Sequence, residues 1–491
     1  MSAAPSAAPA PATATEMGPA DMGRLVALAV ALGIGGALVG SVFLAIMSFG
    51  QNLIWKDIPG GLPITAQDWW YVLIWMVVAA AVVAVAQRLP GHTGGSPIEG
   101  LHFNVGPKQI GGVALAALAT LILAIPLGPE APLIACGTAL GGYFARNAKA
   151  EARQLAMLLG GAAAIGAVLG NPFITAVLFL EFAALGVLPV AALVPVYISL
   201  AAGYLVMTGL GGFSGLGTHT LSVAGLPPLD RLPWLSIAFA IVAAVVAAVL
   251  TLLARAIGWQ TWRVAQRRPV PTLFVAAILI GTVGIVITHF SGLSIETVLF
   301  DGEGGIPELI GATSFTAVLL ATVGRLIVYG LALGAGFRGG PIFPSVAMGV
   351  GVGAAMALLI DPSLQTPLIV AGIAACIAAS LKVTFTAGLL ALLITSTAGA
   401  VTAPVAIVGA IVGYLVRIAH DRKWPPPVPS AVDTAAAARA ASDATPAEDS
   451  GTDEGDAPDG GTDDRSTDDG GTEESPTGAT ETAGRSAPPT P

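Results

Sequence analysis

Charge is scarce in this 491-residue sequence: Asp, Glu, Lys and Arg supply 10% of it, against 55% hydrophobic residues and a mean hydropathy of +0.81. Globular domains carry about 25% charged residues, so a soluble fold of this length would lack the polar surface to cover itself. Cysteine is nearly absent too. Cys136 and Cys376 both lie in apolar runs, which excludes a disulfide framework and any CxxC metal signature. The five histidines (92, 102, 219, 289 and 420) are scattered, with neither an HExxH pattern nor a nucleophile elbow. These absences argue against an intramembrane enzyme. The sequence calls for no metal, no cofactor and no nucleic-acid partner. What remains is a polytopic membrane protein.

The net charge of −9 is unevenly spread. From Ser430 to Pro491 there are 15 acidic and 3 basic residues, which leaves 15 and 18 in residues 1–429, a body of net +3. Residues 430–491, rich in Asp, Gly, Thr and Pro, are expected to be a disordered acidic tail. Residues 1–23 read as a disordered Ala/Pro leader without the basic and apolar regions of a signal peptide. Basic clusters at Arg146, Lys149 and Arg153, at Arg255, Arg263, Arg267 and Arg268, and at Arg417, Arg422 and Lys423 mark cytoplasmic segments by the positive-inside rule. They place both termini in the cytoplasm of a multi-pass plasma-membrane protein.

Apolar stretches recur at 25–50, 69–87, 110–127, 154–170, 172–210, 234–257, 272–290, 315–336, 366–381 and 383–419. Several reach the roughly 20 residues needed to cross a bilayer, and others are cut short by Gly and Pro. Broken helices at membrane depth occur where backbone lines a cavity or is buried in protein, and they point to transport sites. The 62 glycines let helices approach closely, as in Gly160-Gly161-Ala162-Ala163 and Gly349-Val350-Gly351-Val352-Gly353. A Gly/Pro-rich connection at 211–233 divides the body into halves, about 24–210 and 234–420. Equal halves predict an all-α fold built as an inverted repeat of tilted and broken helices.

Three breaks carry the chemistry. In Pro126-Leu127-Gly128-Pro129-Glu130-Ala131-Pro132, prolines and a glycine interrupt the backbone just before an apolar helix. Glu130 therefore sits at a helix N-terminus, where the macrodipole favours a carboxylate and an anion alike. The second break is Gly91-His92-Thr93-Gly94-Gly95-Ser96-Pro97, with amides and a hydroxyl suited to an anion. The third, Gly336-Phe337-Arg338-Gly339-Gly340-Pro341-Ile342-Phe343-Pro344-Ser345, lies in the second half. Together they predict a dehydrated anion cradle contributed by Gly94, Gly95, Ser96, Gly128, Gly339, Gly340, Ile342 and Phe343, with Glu130 as its gate. Asp301-Gly302-Glu303-Gly304-Gly305-Ile306-Pro307-Glu308 reads as a solvated turn, and Arg325 and Lys382 as cations that snorkel to the interface.

In these motifs the sequence resembles the CLC family of chloride channels and chloride/proton antiporters, over roughly residues 24–420. The family's GxEGP stretch with its gating glutamate resembles Gly128-Pro129-Glu130-Ala131-Pro132. Its GSGIP stretch is similar to Gly94-Gly95-Ser96-Pro97, and its GGxFxP stretch to Gly339-Gly340-Pro341-Ile342-Phe343-Pro344. Glu151-Ala152-Arg153, Asn171-Pro172 and Phe179-Leu180-Glu181 follow in family order. There are departures. Ala131 replaces a glycine, and the anion-coordinating serine falls on Gly94, two positions before Ser96. Ile342 stands where the family has phenylalanine. The proton-transfer glutamate of exchangers falls on Phe182, beside Glu181, which becomes the candidate for a proton route. No residue matches the pore tyrosine, since Tyr414 is out of register, and no regulatory modules follow the membrane domain.

The resemblance implies a homodimer that moves inorganic anions, chloride first, through a pore gated by a protonatable glutamate. The alternatives are a proton-coupled chloride antiporter and a secondary carrier for another small anion.

Overall fold

The computed structural model describes residues 19–90, 95–103, 105–214 and 221–444. Among these residues the chain is helical, and no β-strand forms. The first half holds α1 (Pro19–Asn52), α2 (Trp69–Ala86), α3 (Ile110–Ile122), α4 (Glu130–Phe144), α5 (Ala150–Leu169), α6 (Pro172–Ala184) and α7 (Leu193–Ser214). The second holds α8 (Trp234–Arg267), α9 (Pro269–Ser291), α10 (Ile306–Gly311), α11 (Phe315–Ala335), α12 (Ile342–Ile360), α13 (Gln365–Leu381), α14 (Phe385–Ile394) and α15 (Ala403–Lys423). A last helix, α16 (Ala431–Ala444), follows the membrane body. Among the described residues, 10 segments are long and apolar enough to span a membrane, while α3, α6 and α14 are shorter apolar helices.

Local chemistry sets the breaks. Gly170 ends α5 in the left-handed region (φ 66°), and Asn171 then accepts the Phe173 amide to cap α6. The apolar run 172–210 divides at Gly186 and Pro189, and 383–419 divides around Gly399 (φ 89°).

The centre is made of α12 and α13, whose membrane windows are 83% and 94% buried, against 33% for the outlying α1 and α9. Glycine permits this density. A Cβ on Gly349 would lie 2.5 Å from the Ile373 backbone, and the backbones of Gly137 and Gly160 meet just as tightly between α4 and α5. The same device thus joins matching helix pairs in the two halves. Large apolar side chains such as Leu205, Val194 and Phe290 are exposed on the outside, where they suit lipid.

Two sequence expectations change. The leader, expected through residue 23, gives way to helix at Pro19, and residues 1–18 lie outside the described residues. The tail, expected to be disordered from Ser430, begins with α16, and residues 445–491 lie outside the described residues. The reason is a capping box. Ser430 Oγ accepts the Asp433 amide, and Asp433 reaches back to the Ser430 amide at 3.0 Å and hydroxyl at 2.7 Å. An alanine-rich run then propagates the helix.

Candidate anion-binding site

The first and third breaks meet. Gly128 and Gly340 form an isolated antiparallel bridge, with the Gly128 amide 2.8 Å from the Gly340 carbonyl and the bond returned from Gly340. Each bridge leads straight into a helix capped by proline, Pro129 (φ −79°, ψ −6°) for α4 and Pro341 (φ −95°, ψ −8°) for α12. The two halves therefore present matching N-termini, each with unsatisfied amides and a positive dipole end, to one buried spot.

Glu130 occupies that spot and is fully buried. Its Oε1 accepts the Phe343 amide at 2.7 Å, in the first turn of α12. Its Oε2 has no hydrogen-bond partner among the described residues. A Cβ on either Gly128 or Gly340 would overlap this oxygen, so the carboxylate fits here only against glycine at both positions. A buried acceptor left unpaired costs about 1–3 kcal/mol, and such exceptions in a native fold call for a functional reason. Ile342 and Phe343 are 2% and 3% exposed and exclude water from the carboxylate. Gly339 packs on the Leu127 side chain beside the bridge.

The second break contributes differently. Gly94 lies outside the described residues. Gly95 lies against the His102 ring, and Ser96 donates to the Leu333 carbonyl at 3.4 Å; neither is hydrogen-bonded to Glu130. The Ser96 hydroxyl thus faces α11.

Glu181 near the end of α6 faces another N-terminus, that of α14. Its Oε1 accepts from the amides of Thr384 and Phe385, the latter at 3.0 Å. Its Oε2 accepts the Thr386 amide at 2.8 Å and the Thr386 hydroxyl at 2.7 Å. Both oxygens are satisfied, in the geometry of a helix cap. Phe182 packs edge-on against Phe103, with centroids 6.1 Å apart.

Three groups read from sequence as exposed are built into the interior. Arg325 is 1% exposed, and its guanidinium donates to the carbonyls of Glu296, Thr297, Leu299 and Asp301. The 301–308 segment is consequently half-buried, with Glu308 accepting the Ser294 amide at 2.9 Å. Lys382 is buried between Asp421 (2.6 Å) and Asp433 (2.5 Å). A single-residue reading of "Lys in an apolar run" misses it, because both partners lie some 40–50 positions further along the chain. Tyr329 also escaped notice. It is fully buried, and its hydroxyl and that of Ser345 turn toward the Pro341 carbonyl behind the cradle, at 3.5 and 2.6 Å.

The sequence profile of the voltage gated chloride channel family matches residues 95–417, most of the membrane body. The chain belongs to that family. It is a CLC protein, a multi-pass membrane protein of anion transport. YfeO of Escherichia coli, a protein named for ion transport, is 30% identical over 341 residues, covering 66% of this chain and 77% of its own. Its counterpart in Escherichia fergusonii is 29% identical over the same shares. Among solved structures, a slow cyanobacterial Cl⁻/H⁺ antiporter superposes with a TM-score of 0.65 at 18% identity, over 85% of this chain and 98% of that one. A CLC-type fluoride/proton antiporter gives 0.63 at 16% identity, over 82% and 97%. Both show that the fold is the CLC fold.

Proposed function

We propose that this CLC protein carries a small inorganic anion, chloride first, and that the anion and the Glu130 carboxylate compete for one cradle. A single observation supports the reading: Glu130 is wholly buried between two helix N-termini with one oxygen held and the other free. The ionised carboxylate stands where an anion would stand, so it closes the path. Protonation removes the charge that the two dipoles attract, and the side chain yields the cradle. The amides of Ile342 and Phe343, in the first turn of α12, then replace part of the anion's hydration, as backbone dipoles do in other filters. Gly128, Gly339 and Gly340 let the backbone come close enough. Conduction rises as pH falls.

The protein works as a homodimer in the plasma membrane with both termini in the cytoplasm. This assignment follows the basic clusters and the family resemblance.

Proton-coupled exchange is the second reading, supported by the two fold neighbours, a Cl⁻/H⁺ and a fluoride/proton antiporter. It would need an inner proton route. Glu181 is the carboxylate nearest the matching position, yet its full set of four donors suits a cap better than a carrier. Chloride efflux from proteoliposomes with simultaneous proton recording tests both. Rapid chloride flux without stoichiometric protons supports the gated pathway, and proton movement against its gradient supports exchange. Absence of any anion flux at acidic and neutral pH would overturn the proposal.

A further inference from the structure

The basic cluster at Arg263, Arg267 and Arg268 puts the start of α9 on the cytoplasmic side. This helix is long enough to span the membrane, so the chain beyond Ser291 lies on the outer side. There, residues 300–302 are wedged against the cradle wall. The Phe300 amide donates to the Ala124 carbonyl at 3.0 Å, just before the first break. Gly302 (φ 99°) packs on α12, where a Cβ would lie 2.5 Å from that of Ala347. Ala347 is one turn beyond Phe343, whose amide holds Glu130. Arg325 fixes the same stretch through the Asp301 carbonyl at 3.3 Å. Phe300 and Ala124 both take positive φ, 58° and 63°, a strained choice for residues with side chains. The Trp55 ring, carried on the π-helical turn Leu53–Asp57, packs edge-on against Phe300 with centroids 5.2 Å apart. Strain of this kind persists only where the surroundings over-determine a position, and here it fixes Asp301.

Asp301 has no counter-ion. Among the described residues neither it nor Glu303 makes an ion pair. The cation beside them is Arg325, whose guanidinium is spent on four backbone carbonyls. Asp301 Oδ1 accepts the Glu303 amide at 3.2 Å, and both residues are half-buried. The charges around Asp301 are Glu296 and Glu303 on its own segment, Arg325 on α11 and Glu130 on α4. From α12 there is none, and Lys56 and Asp57 of the π-helical turn are exposed to solvent. Glu308 is engaged with the Ser294 amide. Burial pushes both carboxyls of the pair up, and the Asp301 charge adds to the rise at Glu303, which reaches about 7. The pair thus responds to mild acid.

We propose that Asp301, with Glu303 behind it, is a positioning residue of the gate: its unpaired negative charge, fixed at the outer side of the cradle, sets how much acid is needed to release Glu130. A nearby negative charge favours the neutral form of a carboxyl. Asp301 therefore helps Glu130 take a proton and yield the cradle under milder acid than it would alone. Glu303 acts on the gate through Asp301, since like charges this close titrate as a set. The strained backbone at Phe300 serves this purpose, because it holds the carboxylate against a wall that offers it no cation. The inference rests on the reading of Glu130 as the gate.

The test is chloride efflux from proteoliposomes of the full chain over a pH series, read as the midpoint of acid activation. Asp301→Asn keeps the oxygen that accepts the Glu303 amide but loses the charge. It should move the midpoint about one pH unit lower, a tenfold higher proton concentration. Asp301→Glu, which keeps the charge, should retain the wild-type midpoint, and Glu303→Gln should shift it the same way as Asp301→Asn by less. An unmoved midpoint in Asp301→Asn overturns the inference. So does an equal shift in Asp301→Glu, which would mark a structural role. Should Asp301→Asn fail to fold, an unmoved midpoint in Glu303→Gln overturns it. The gate reading fails separately: pH-sensitive flux in Glu130→Gln refutes Glu130 as the gate. Lost pH dependence in Glu130→Gln with an unmoved midpoint in Asp301→Asn refutes Asp301 alone.

Discussion

Glu130 and Glu181 are both buried carboxylates aimed at the N-terminus of a helix that starts after a backbone break, yet they are held in opposite ways. Glu181 has three amides and a hydroxyl on its two oxygens, all from the first turn of α14. Glu130 has one amide from α12 and one oxygen left bare between two glycines. A carboxylate that satisfies every nearby donor is a part of the fold, since its departure would strand those donors. One that is under-held can leave and be replaced by an anion at little structural cost. Helix dipoles alone do not separate the two cases; the hydrogen-bond inventory does.

Glu130→Gln sharpens this contrast most. The amide keeps the volume but not the charge, so chloride flux at neutral pH should rise about tenfold or more, a barrier change of about 1.4 kcal/mol, and lose its pH dependence. Vesicle efflux across a pH series measures both. Glu181→Gln should do the reverse: flux stays pH-sensitive, while the cap weakens and costs about 1–2 kcal/mol of stability, read by thermal unfolding in detergent. If Glu181→Gln abolishes proton-linked behaviour and leaves stability untouched, the two carboxylates have been assigned the wrong way round.

The smallest effect concerns α16. Burial by itself would raise the Asp433 carboxyl, but hydrogen bonds from Lys382 and Ser430 outweigh it and hold the group below the usual aspartate range. A depressed folded-state value means the tether is intact at and above pH about 4 and is lost as pH falls through the lower, folded value. Amide exchange over Ala431–Ala438 should therefore stay protected at neutral pH and speed up in acid. Asp433→Asn should expose the same amides at pH 7.

Much of this was legible in the sequence. Gly128-Pro129-Glu130 and Gly339-Gly340-Pro341 announced two helix starts because glycine and proline state their backbone demands locally. Their meeting in one bridge was inferable only from the idea of paired halves. What stayed hidden depends on partners distant in the chain: Lys382 with Asp421 and Asp433, and Arg325 with four carbonyls. The half-hidden case is α16. Its Ser430-Ala431-Val432-Asp433 capping box lies in plain view, but the acidic composition of the following residues masks it. The contact of Ser96 with the Leu333 carbonyl was also out of sight, because that partner lies far along the chain.

The central claim is that the Glu130 carboxylate and the transported anion share the same donors. Bromide anomalous density at the Phe343 amide, compared between wild type and Glu130→Gln crystals at neutral pH, tests it most directly. The account predicts bromide beside Gly128, Gly340 and Phe343 in the variant and none there in the wild type. Equal bromide in both, or none in the variant, would contradict it.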